Sequence, residues 1–199
     1  MSSEKTKDTR TKILDASWKL LEEGKGGGVR MSDIAKAAGV SRQAVYMHFP
    51  SRAELLTATT RHLDEVVNTD KLLARSRAAK SGRERLEAYI DAWTSHILNI
   101  NGVARALLAM RDTDEEAKAA WVERMDAMRH GCAAAVDAII ADDELREGLE
   151  RDDAVDLLWA HVSFQNWRNL TEDRGWDQDK YVENMKWSAE AMLLRSNAT

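Results

Sequence analysis

The sequence predicts an all-α protein of about nine helices. Over most of its 199 residues, apolar side chains recur at the spacing that places them on one face of an α-helix. No segment shows the sustained alternation of apolar and polar residues that predicts a β-strand. Three stretches have the Ser/Thr-x-x-Glu pattern of a capping box, which marks the first turn of a helix; they begin at Ser51, Ser81 and Thr113.

The first helix is predicted over residues 5–23, where Ile13, Leu14 and Leu21 share an apolar face. Residues 24–28, with the sequence Gly-Lys-Gly-Gly-Gly, then predict a flexible connector. A phosphate-binding P-loop is the alternative for a glycine-rich run that contains a lysine. The spacing does not fit that motif, and no Ser or Thr follows the lysine.

Residues 31–49 predict two short helices that meet at a tight turn. Ile34 and Ala38 give the first helix an apolar face, and Gly39 lies where a helix that ends in the left-handed conformation needs a residue without Cβ. Ser41 is placed to cap the second helix, which is only about 12 Å long. Half of the positions in this second helix carry side chains suited to an anionic, hydrogen-bonding surface: Arg42, Gln43, Tyr46 and His48.

This arrangement is typical of a helix-turn-helix, in which the second helix enters the major groove of DNA and its first turn reaches the base edges. Two short core helices joined by an Ala-Gly-Val turn are the structural alternative. The net charge of the whole chain is −5, but residues 1–52 contain ten Lys and Arg against six Asp and Glu, which leaves +4 there and −9 in the remainder. Such an asymmetry favours DNA, because phosphate binding needs local rather than overall positive charge.

The same stretch resembles a known family. IAKAAGVS, followed by Y-x-H-F-P-S-R-x-E-L, is similar to the DNA-binding signature of the TetR family of bacterial transcriptional regulators, and the match is continuous over residues 34–55. The sequence departs from the family pattern at two positions. Arg30 replaces the Ser or Thr that often caps the first helix of the pair, and Arg52 replaces the usual Lys. Because Arg52 keeps the charge, the resemblance implies that it reaches a phosphate.

The residues expected to contact DNA follow from the helix-turn-helix and from the resemblance. Arg42 and Gln43 are the candidates for base edges, since Arg pairs with guanine O6/N7 and Gln with adenine N6/N7. Phosphate contacts are expected from Ser41, Tyr46, His48 and Arg52. The full predicted DNA-binding set is Arg30, Ser41, Arg42, Gln43, Ala44, Tyr46, His48 and Arg52.

Pro50 is the only proline in the chain, and it ends the second helix of the pair because it disfavours helical geometry at the preceding residue. The capping box at Ser51 begins a fourth helix, which is predicted to continue to about residue 75 because neither Gly nor Pro interrupts it. This long helix is predicted to join a three-helix DNA-binding head, residues 1–50, to a larger helical domain for ligand binding and dimerisation, residues 51–199.

The remainder of the chain also has a helical pattern. Asn101-Gly102 is expected to separate a fifth helix from a short sixth one, and a long seventh helix follows the capping box at Thr113. The last two helices are predicted at about residues 152–173 and 177–195.

Apolar side chains surround these last two helices, which therefore need cover on every side. A four-helix bundle formed with a second copy of the chain provides that cover, as the resemblance also implies. Two core helices of a monomer are the alternative. The predicted dimer interface comprises Leu158, His161, Phe164, Gln165, Tyr181, Met185, Ser188 and Met192.

The middle of the chain is rich in tryptophan and methionine, which occur seven and eight times in the whole sequence. Their helical spacing is typical of core packing, whereas the resemblance implies a pocket for an apolar or aromatic small-molecule effector. The residues expected to line such a pocket are Trp93, His96, Met110, Trp121, Met125, Met128, Trp159 and Gln165.

Other kinds of site find little support. The scattered histidines, the single Cys132 and the carboxylates show no spacing typical of a nucleophile with its base, and no metal or cofactor site is expected. The sequence contains neither an apolar run of about 18 residues nor the apolar core of a signal peptide. No membrane partner is therefore expected, and the cytoplasm is the predicted location.

The sequence thus predicts a ligand-responsive transcriptional repressor that binds a palindromic DNA operator as a homodimer and is released by a small effector. Two alternatives remain. A DNA-binding regulator controlled by a protein partner would have a filled core and an exposed apolar patch. An enzyme with an appended helix-turn-helix would have a polar, pKa-perturbed cluster in its cavity.

Overall fold

The computed structural model describes residues 2–24 and 29–195, with side chains from residue 8 onward. Apart from Gly24, the predicted glycine-rich connector lies outside the described residues. Within the described part all regular structure is helical, except for one antiparallel bridge between Leu145 and Leu194, so the predicted all-α fold is confirmed. The helices are α1 (Ser2–Glu22), α2 (Met31–Ala38), α3 (Arg42–His48), α4 (Arg52–Val66), α5 (Thr69–Arg77), α6 (Gly82–Met110), α7 (Glu115–Ala141), α8 (Arg151–His161), α9 (Phe164–Arg168), which a π-helical segment (Asn169–Asp173) continues, and α10 (Gln178–Leu193).

The chain forms two compact units. The first comprises Met1–Val67 and Asn99–Met125, and the second comprises Asn68–Leu98 and Asp126–Thr199. Helices α6 and α7 each contribute residues to both units.

The first unit has a continuous apolar core to which α1, α2, α3 and α4 all contribute. The end of α6 and the start of α7 add Val103, Leu107, Ala117 and Ala120 to the same cluster. This shared core holds the helix-turn-helix against α1 and α4. The buried side chains that the first four helices contribute include Ile13, Leu14, Leu21, Ile34, Val45, Leu55 and Leu56.

The predicted helix-turn-helix is present as α2 and α3. Gly39 ends α2 with φ 67° and ψ 31°, the left-handed conformation in which a side chain is disfavoured. Ser41 caps α3, and its Oγ accepts a hydrogen bond from the Ala44 backbone N–H at 3.1 Å. Arg30 precedes α2 without making a side-chain cap.

The predicted fourth helix is wrong in its length. It ends at Val66, and Asn68 takes a left-handed conformation with φ 54° before α5 begins. The Asn68 side chain accepts a hydrogen bond from the Lys71 backbone N–H at 3.2 Å, so it caps the next helix. Asparagine tolerates the left-handed region better than most residues, and it therefore interrupts the helix without Gly or Pro.

Two further predicted boundaries differ from the structure. Gly102 does not interrupt α6, which continues to Met110. It lies where α1 passes close by: a Cβ at this position would be 2.9 Å from Glu22 Cγ and 3.3 Å from Glu22 Cα. The helix predicted over residues 152–173 is divided at Ser163, whose Oγ accepts a hydrogen bond from the Asn166 backbone N–H at 3.2 Å and so begins α9.

The second unit has its own buried core, drawn from α6, α7, α8 and α10. The Tyr89 hydroxyl donates a hydrogen bond to the Met128 carbonyl oxygen at 3.0 Å. Burial raises the pKa of the Cys132 thiol to about 12, so the thiol is protonated at neutral pH and is a core side chain rather than a nucleophile. The buried side chains include Leu86, Tyr89, Ile90, Cys132, Val136, Ile139, Leu158, Tyr181 and Met185.

None of the helices in residues 2–24 and 29–195 combines the length and the apolar character needed to cross a membrane.

Candidate nucleic-acid interface

Helix α3 has one side on the core of the first unit and the other side exposed. Val45 is fully buried, and Phe49, directly after the helix, is 3% exposed. The predicted base-contacting residues Arg42 and Gln43 are exposed, as is Tyr46, while Ala44 and His48 are half-buried. The polar side of the helix is therefore available to a partner.

The centre of the exposed side is formed by Gln43 and Met47. At about 100° per residue, these two positions lie nearly opposite the buried Val45 and one turn apart. Met47 is 79% exposed, the largest exposure among the large apolar residues that the structure describes. Met47 was not among the residues predicted to contact DNA, although its position four residues after Gln43 was a signal that could have identified it.

Arg42 and Tyr46 form a pair beside this centre. An Arg42 Nη2–H donates to the Tyr46 hydroxyl at 3.4 Å, and the guanidinium lies 5.5 Å from the centroid of the Tyr46 ring. The hydrogen bond to Tyr46 raises the pKa of Arg42 above its already high ordinary value. At the other end of α3, the Arg10 guanidinium lies 5.1 Å from the centroid of the Phe49 ring. Both arginines are exposed and add positive charge beside α3.

Arg52 faces the protein rather than the solvent. Its Nε donates to the Val29 carbonyl oxygen at 2.5 Å, and its Nη1 donates to the two carboxylate oxygens of Asp114 at 3.0 and 2.7 Å. Only 14% of its side chain is exposed. This geometry is at odds with the predicted phosphate contact, because the guanidinium is already held by groups of its own chain. Of the other predicted DNA-binding positions, Arg30 and Ser41 are exposed.

The predicted effector-binding residues lie in both units. Met110 and Trp121 are half-buried and pack on the core of the first unit. Met125 is the last residue of that unit and is half-buried. In the second unit, the rings of Trp93 and His96 are 6.0 Å apart, and Trp93 Nε1 donates to the Val162 carbonyl oxygen. Of the other three, Met128 is buried, Trp159 is half-buried and Gln165 is exposed.

The first unit also contains a cavity of about 620 Å³. Its lining is mixed, with apolar side chains from the end of α1 and the end of α6 and polar ones at Glu22, Asn101, Arg105, Thr113 and Asp114. Met110 is the only predicted effector-binding residue that lines it. Among the described residues, no group of three His, Cys, Asp or Glu side chains is arranged to hold a metal ion.

The predicted dimer-interface residues divide by exposure. Leu158, Phe164, Tyr181 and Met185 are buried within their own chain, so they expose almost no surface to a partner, and their place in the interface stays a prediction. His161, Ser188 and Met192 are half-buried, and Gln165 is exposed. The large apolar side chains that α8 and α10 expose are instead Leu157 and Trp187, at 43% and 71%.

Comparison with known proteins matches the same N-terminal region. The family model described as bacterial regulatory proteins, tetR family, matches residues 13–59, which include the helix-turn-helix and parts of α1 and α4. The HTH-type transcriptional regulator CymR of Pseudomonas putida is 30% identical over 186 residues, which make up 89% of this chain and 85% of CymR.

Similar solved structures extend over nearly the whole chain. NalD of Pseudomonas aeruginosa, the secondary repressor of the MexAB-OprM multidrug efflux pump, has a TM-score of 0.71 at 24% identity and covers 100% of both chains. The transcriptional regulator FadR of Bacillus subtilis, in complex with stearoyl-CoA, has a TM-score of 0.74 at 17% identity and covers 92% of this chain and 98% of FadR. These two structures have the same fold.

Proposed function

Because the chain belongs to the tetR family of bacterial regulatory proteins, we propose that this transcriptional regulator is a ligand-responsive repressor that binds a palindromic operator as a homodimer. The main support is the orientation of α3, which buries Val45 and leaves Arg42 and Gln43 exposed. A recognition helix needs this orientation to reach base edges. We assign DNA binding to residues 1–50, and ligand binding and dimerisation to residues 51–199, in the cytoplasm.

Within the DNA-binding site, Gln43 and Arg42 are proposed to read bases, because they occupy the first turn of the exposed helix and carry the donors that adenine and guanine edges accept. Ser41, Tyr46 and His48 are proposed to bind phosphate and so to fix the register of α3 in the groove. Arg30 and Ala44 complete the surface. Arg52 is left out of the phosphate-binding set, because Asp114 and Val29 occupy its guanidinium.

The assignment as a repressor with a small-molecule effector is supported by similar proteins. NalD is a repressor, and FadR was solved with stearoyl-CoA, a ligand with a long apolar chain. The Trp- and Met-rich middle of this chain suits an apolar or aromatic effector. Release from DNA then requires that the effector bind the free and the DNA-bound conformations with different free energies.

The dimer is proposed to form through α8 and α10, with Leu157 and Trp187 as its apolar contacts beside His161, Gln165, Ser188 and Met192. A two-fold axis between the copies places two recognition helices about 34–36 Å apart, or somewhat more, where they meet successive major grooves. A palindromic operator follows from that symmetry.

The experiment that tests this function is selection of bound DNA from a pool of random duplexes. We expect an inverted repeat to be enriched. Gln43→Ala is expected to relax the preference at one base pair in each half-site by roughly 1–3 kcal/mol. Tyr46→Phe, which removes only a hydroxyl, is expected to lower the affinity for all duplexes by a similar factor. Failure to enrich any sequence contradicts the proposal, and equal behaviour of the two variants across the selected duplexes contradicts the roles.

A further inference from the structure

We propose that Asp114 and Glu116 are positioning residues for the helix-turn-helix, and that Arg52 connects them to it instead of binding phosphate. The inference rests on the proposed DNA-binding function and names a part of the chain that sets the orientation of α3. Val29, Arg52, Ala53, Asp114 and Glu116 are together called the Arg52 clamp.

The Arg52 clamp holds the chain on both sides of the helix-turn-helix. Val29 lies two residues before α2, and its carbonyl oxygen accepts from Arg52 Nε at 2.5 Å. Arg52 and Ala53 begin α4, directly after the turn that follows α3. Asp114 accepts from Arg52 Nη1 at 2.7 Å, and Glu116 accepts from the Ala53 backbone N–H at 3.3 Å. Both ends of the helix-turn-helix are therefore tied to the first turn of α7.

The acidic side of the Arg52 clamp is itself fixed to α7. One Asp114 oxygen accepts from the backbone N–H groups of Glu116 and Ala117, each at 3.1 Å, and so caps the helix. Burial raises the pKa of the Asp114 carboxyl, but these N–H groups and the Arg52 guanidinium outweigh burial, and the net shift is downward. Asp114 is thus a charged anchor at neutral pH.

A second ion pair between α4 and α7 provides a matched control. Arg61 donates to one Glu123 oxygen from Nε at 3.1 Å and from Nη2 at 2.9 Å. The Arg61 side chain is 63% exposed, against 14% for Arg52. Arg61 lines a surface pocket with His48 and Phe49, but neither Arg61 nor Glu123 belongs to the Arg52 clamp. Ion pairs exposed to this extent contribute little to stability, whereas breaking a more buried pair leaves a charge without its partner.

The Arg52 clamp also connects the segment between α6 and α7 to the helix-turn-helix, so that a movement of this segment can reach the DNA-binding surface. Val29 and Asp114 both line the cavity of about 620 Å³, together with Met110 at the end of α6. Arg52 Nη2 lies 4.0 Å from the Met110 sulfur. A displacement of the segment between α6 and α7 therefore moves both attachment points of the helix-turn-helix together.

The test compares Asp114→Asn, Arg52→Lys and the control Arg61→Lys. Asparagine still caps a helix, so Asp114→Asn removes the charge and keeps the start of α7. Lysine keeps the charge at residue 52 but lacks the planar fork that reaches Val29 and Asp114 together. Affinity for the tightest-binding selected duplex is measured by fluorescence anisotropy over a series of KCl concentrations, after circular dichroism has shown that each variant is folded.

We expect Asp114→Asn and Arg52→Lys each to weaken binding on the order of tenfold, with the slope of log affinity against log salt unchanged, and Arg61→Lys to bind like the wild type. If Arg52 instead contacts phosphate, Lys serves as well as Arg, and Asp114→Asn frees the guanidinium to bind DNA more tightly. Affinity retained in Arg52→Lys, or raised in Asp114→Asn with a slope steeper by about 0.9 per new phosphate contact, overturns the proposal.

Amide hydrogen exchange of the free protein provides a readout that needs no DNA. We expect faster exchange of the α2 and α3 amides in Asp114→Asn than in the wild type or in Arg61→Lys, because loss of the Arg52 clamp lets this part open locally. Unchanged exchange in α2 and α3 overturns the positioning role. If the wild type selects no duplex, the proposed function fails, while the exchange measurement still decides whether the clamp holds these helices.

Discussion

At the scale of single residues, the exposed side of α3 is the feature that we propose determines which bases the protein recognises. Gln43 and Met47 lie one turn apart at the point farthest from the buried Val45. A methionine that is 79% exposed adds nothing to the core on which α3 packs. An apolar side chain at the centre of a recognition helix is suited to the thymine C5-methyl group, which marks that base in the major groove.

Met47 is therefore expected to contact a thymine methyl in the operator. In the selected duplex, replacing thymines one at a time by uracil removes only that methyl. One uracil substitution per half-site is expected to lower the affinity of the wild type for the duplex several-fold and to leave the affinity of Met47→Ala unchanged, as measured by fluorescence anisotropy. Gln43→Ala, which keeps Met47, serves as the control and is expected to remain sensitive to the same uracil. Equal sensitivity of the wild type and Met47→Ala at every thymine contradicts the contact.

At the scale of elements, helix starts were predicted better than helix interruptions. Ser41 and Gly39 act through bonds and dihedral angles within a few residues, and the sequence displays such local signals directly. In the sequence, Gly102 resembles a helix break, but in the structure it lies within α6 at a point where α1 approaches closely. Asn68 looks like an ordinary polar helix residue, but it adopts the left-handed conformation that ends α4. Whether such a glycine or asparagine interrupts a helix therefore depends on the residues that pack against it in the folded chain.

Two glycines of α6 are expected to respond differently to alanine. A Cβ at Gly82 would lie 2.4 Å from Ile139 Cα, which is backbone, so Gly82→Ala forces α6 and α7 apart. We expect it to lower the free energy of unfolding by about 1–3 kcal/mol. At Gly102 the nearest atom is Glu22 Cγ, in an exposed side chain, and the gain in helix propensity of about 1 kcal/mol offsets part of the strain. Urea denaturation measures both; an equal loss in the two variants contradicts this account.

At the scale of the whole molecule, the proposed function depends on two copies of the chain. The apolar excess of the last helices correctly suggested packing on several sides, but much of it is satisfied internally, as the buried Tyr181 and Met185 illustrate. The surface that a partner could cover is the exposed part of α8 and α10, where Leu157 and Trp187 are the exposed large apolar residues. The proposed dimer therefore rests on a smaller set of residues than the sequence pattern indicated.

Trp187→Ala is expected to weaken dimerisation by about 2 kcal/mol or more, because a tryptophan at the centre of an interface often contributes this much. Sedimentation velocity over a range of protein concentrations measures the change. Met47→Ala, which also removes an exposed apolar side chain but does so on α3, is the control and is expected to sediment like the wild type. A wild-type protein that is monomeric at micromolar concentration contradicts the dimer.

The sequence by itself determined the helical class, the helix-turn-helix and the family, because these depend on local periodicity, on caps and on a motif whose residues are close together in the chain. The positions proposed to contact DNA followed from the same stretch and stay predictions. Only the tertiary structure decided that Arg52 faces Asp114, 62 residues away, and that Leu158 and Phe164 are buried. The contacts of these side chains depend on the neighbours that folding brings together. The sequence around a charged or apolar residue is the same whether its side chain contacts solvent, DNA, a second copy or its own chain.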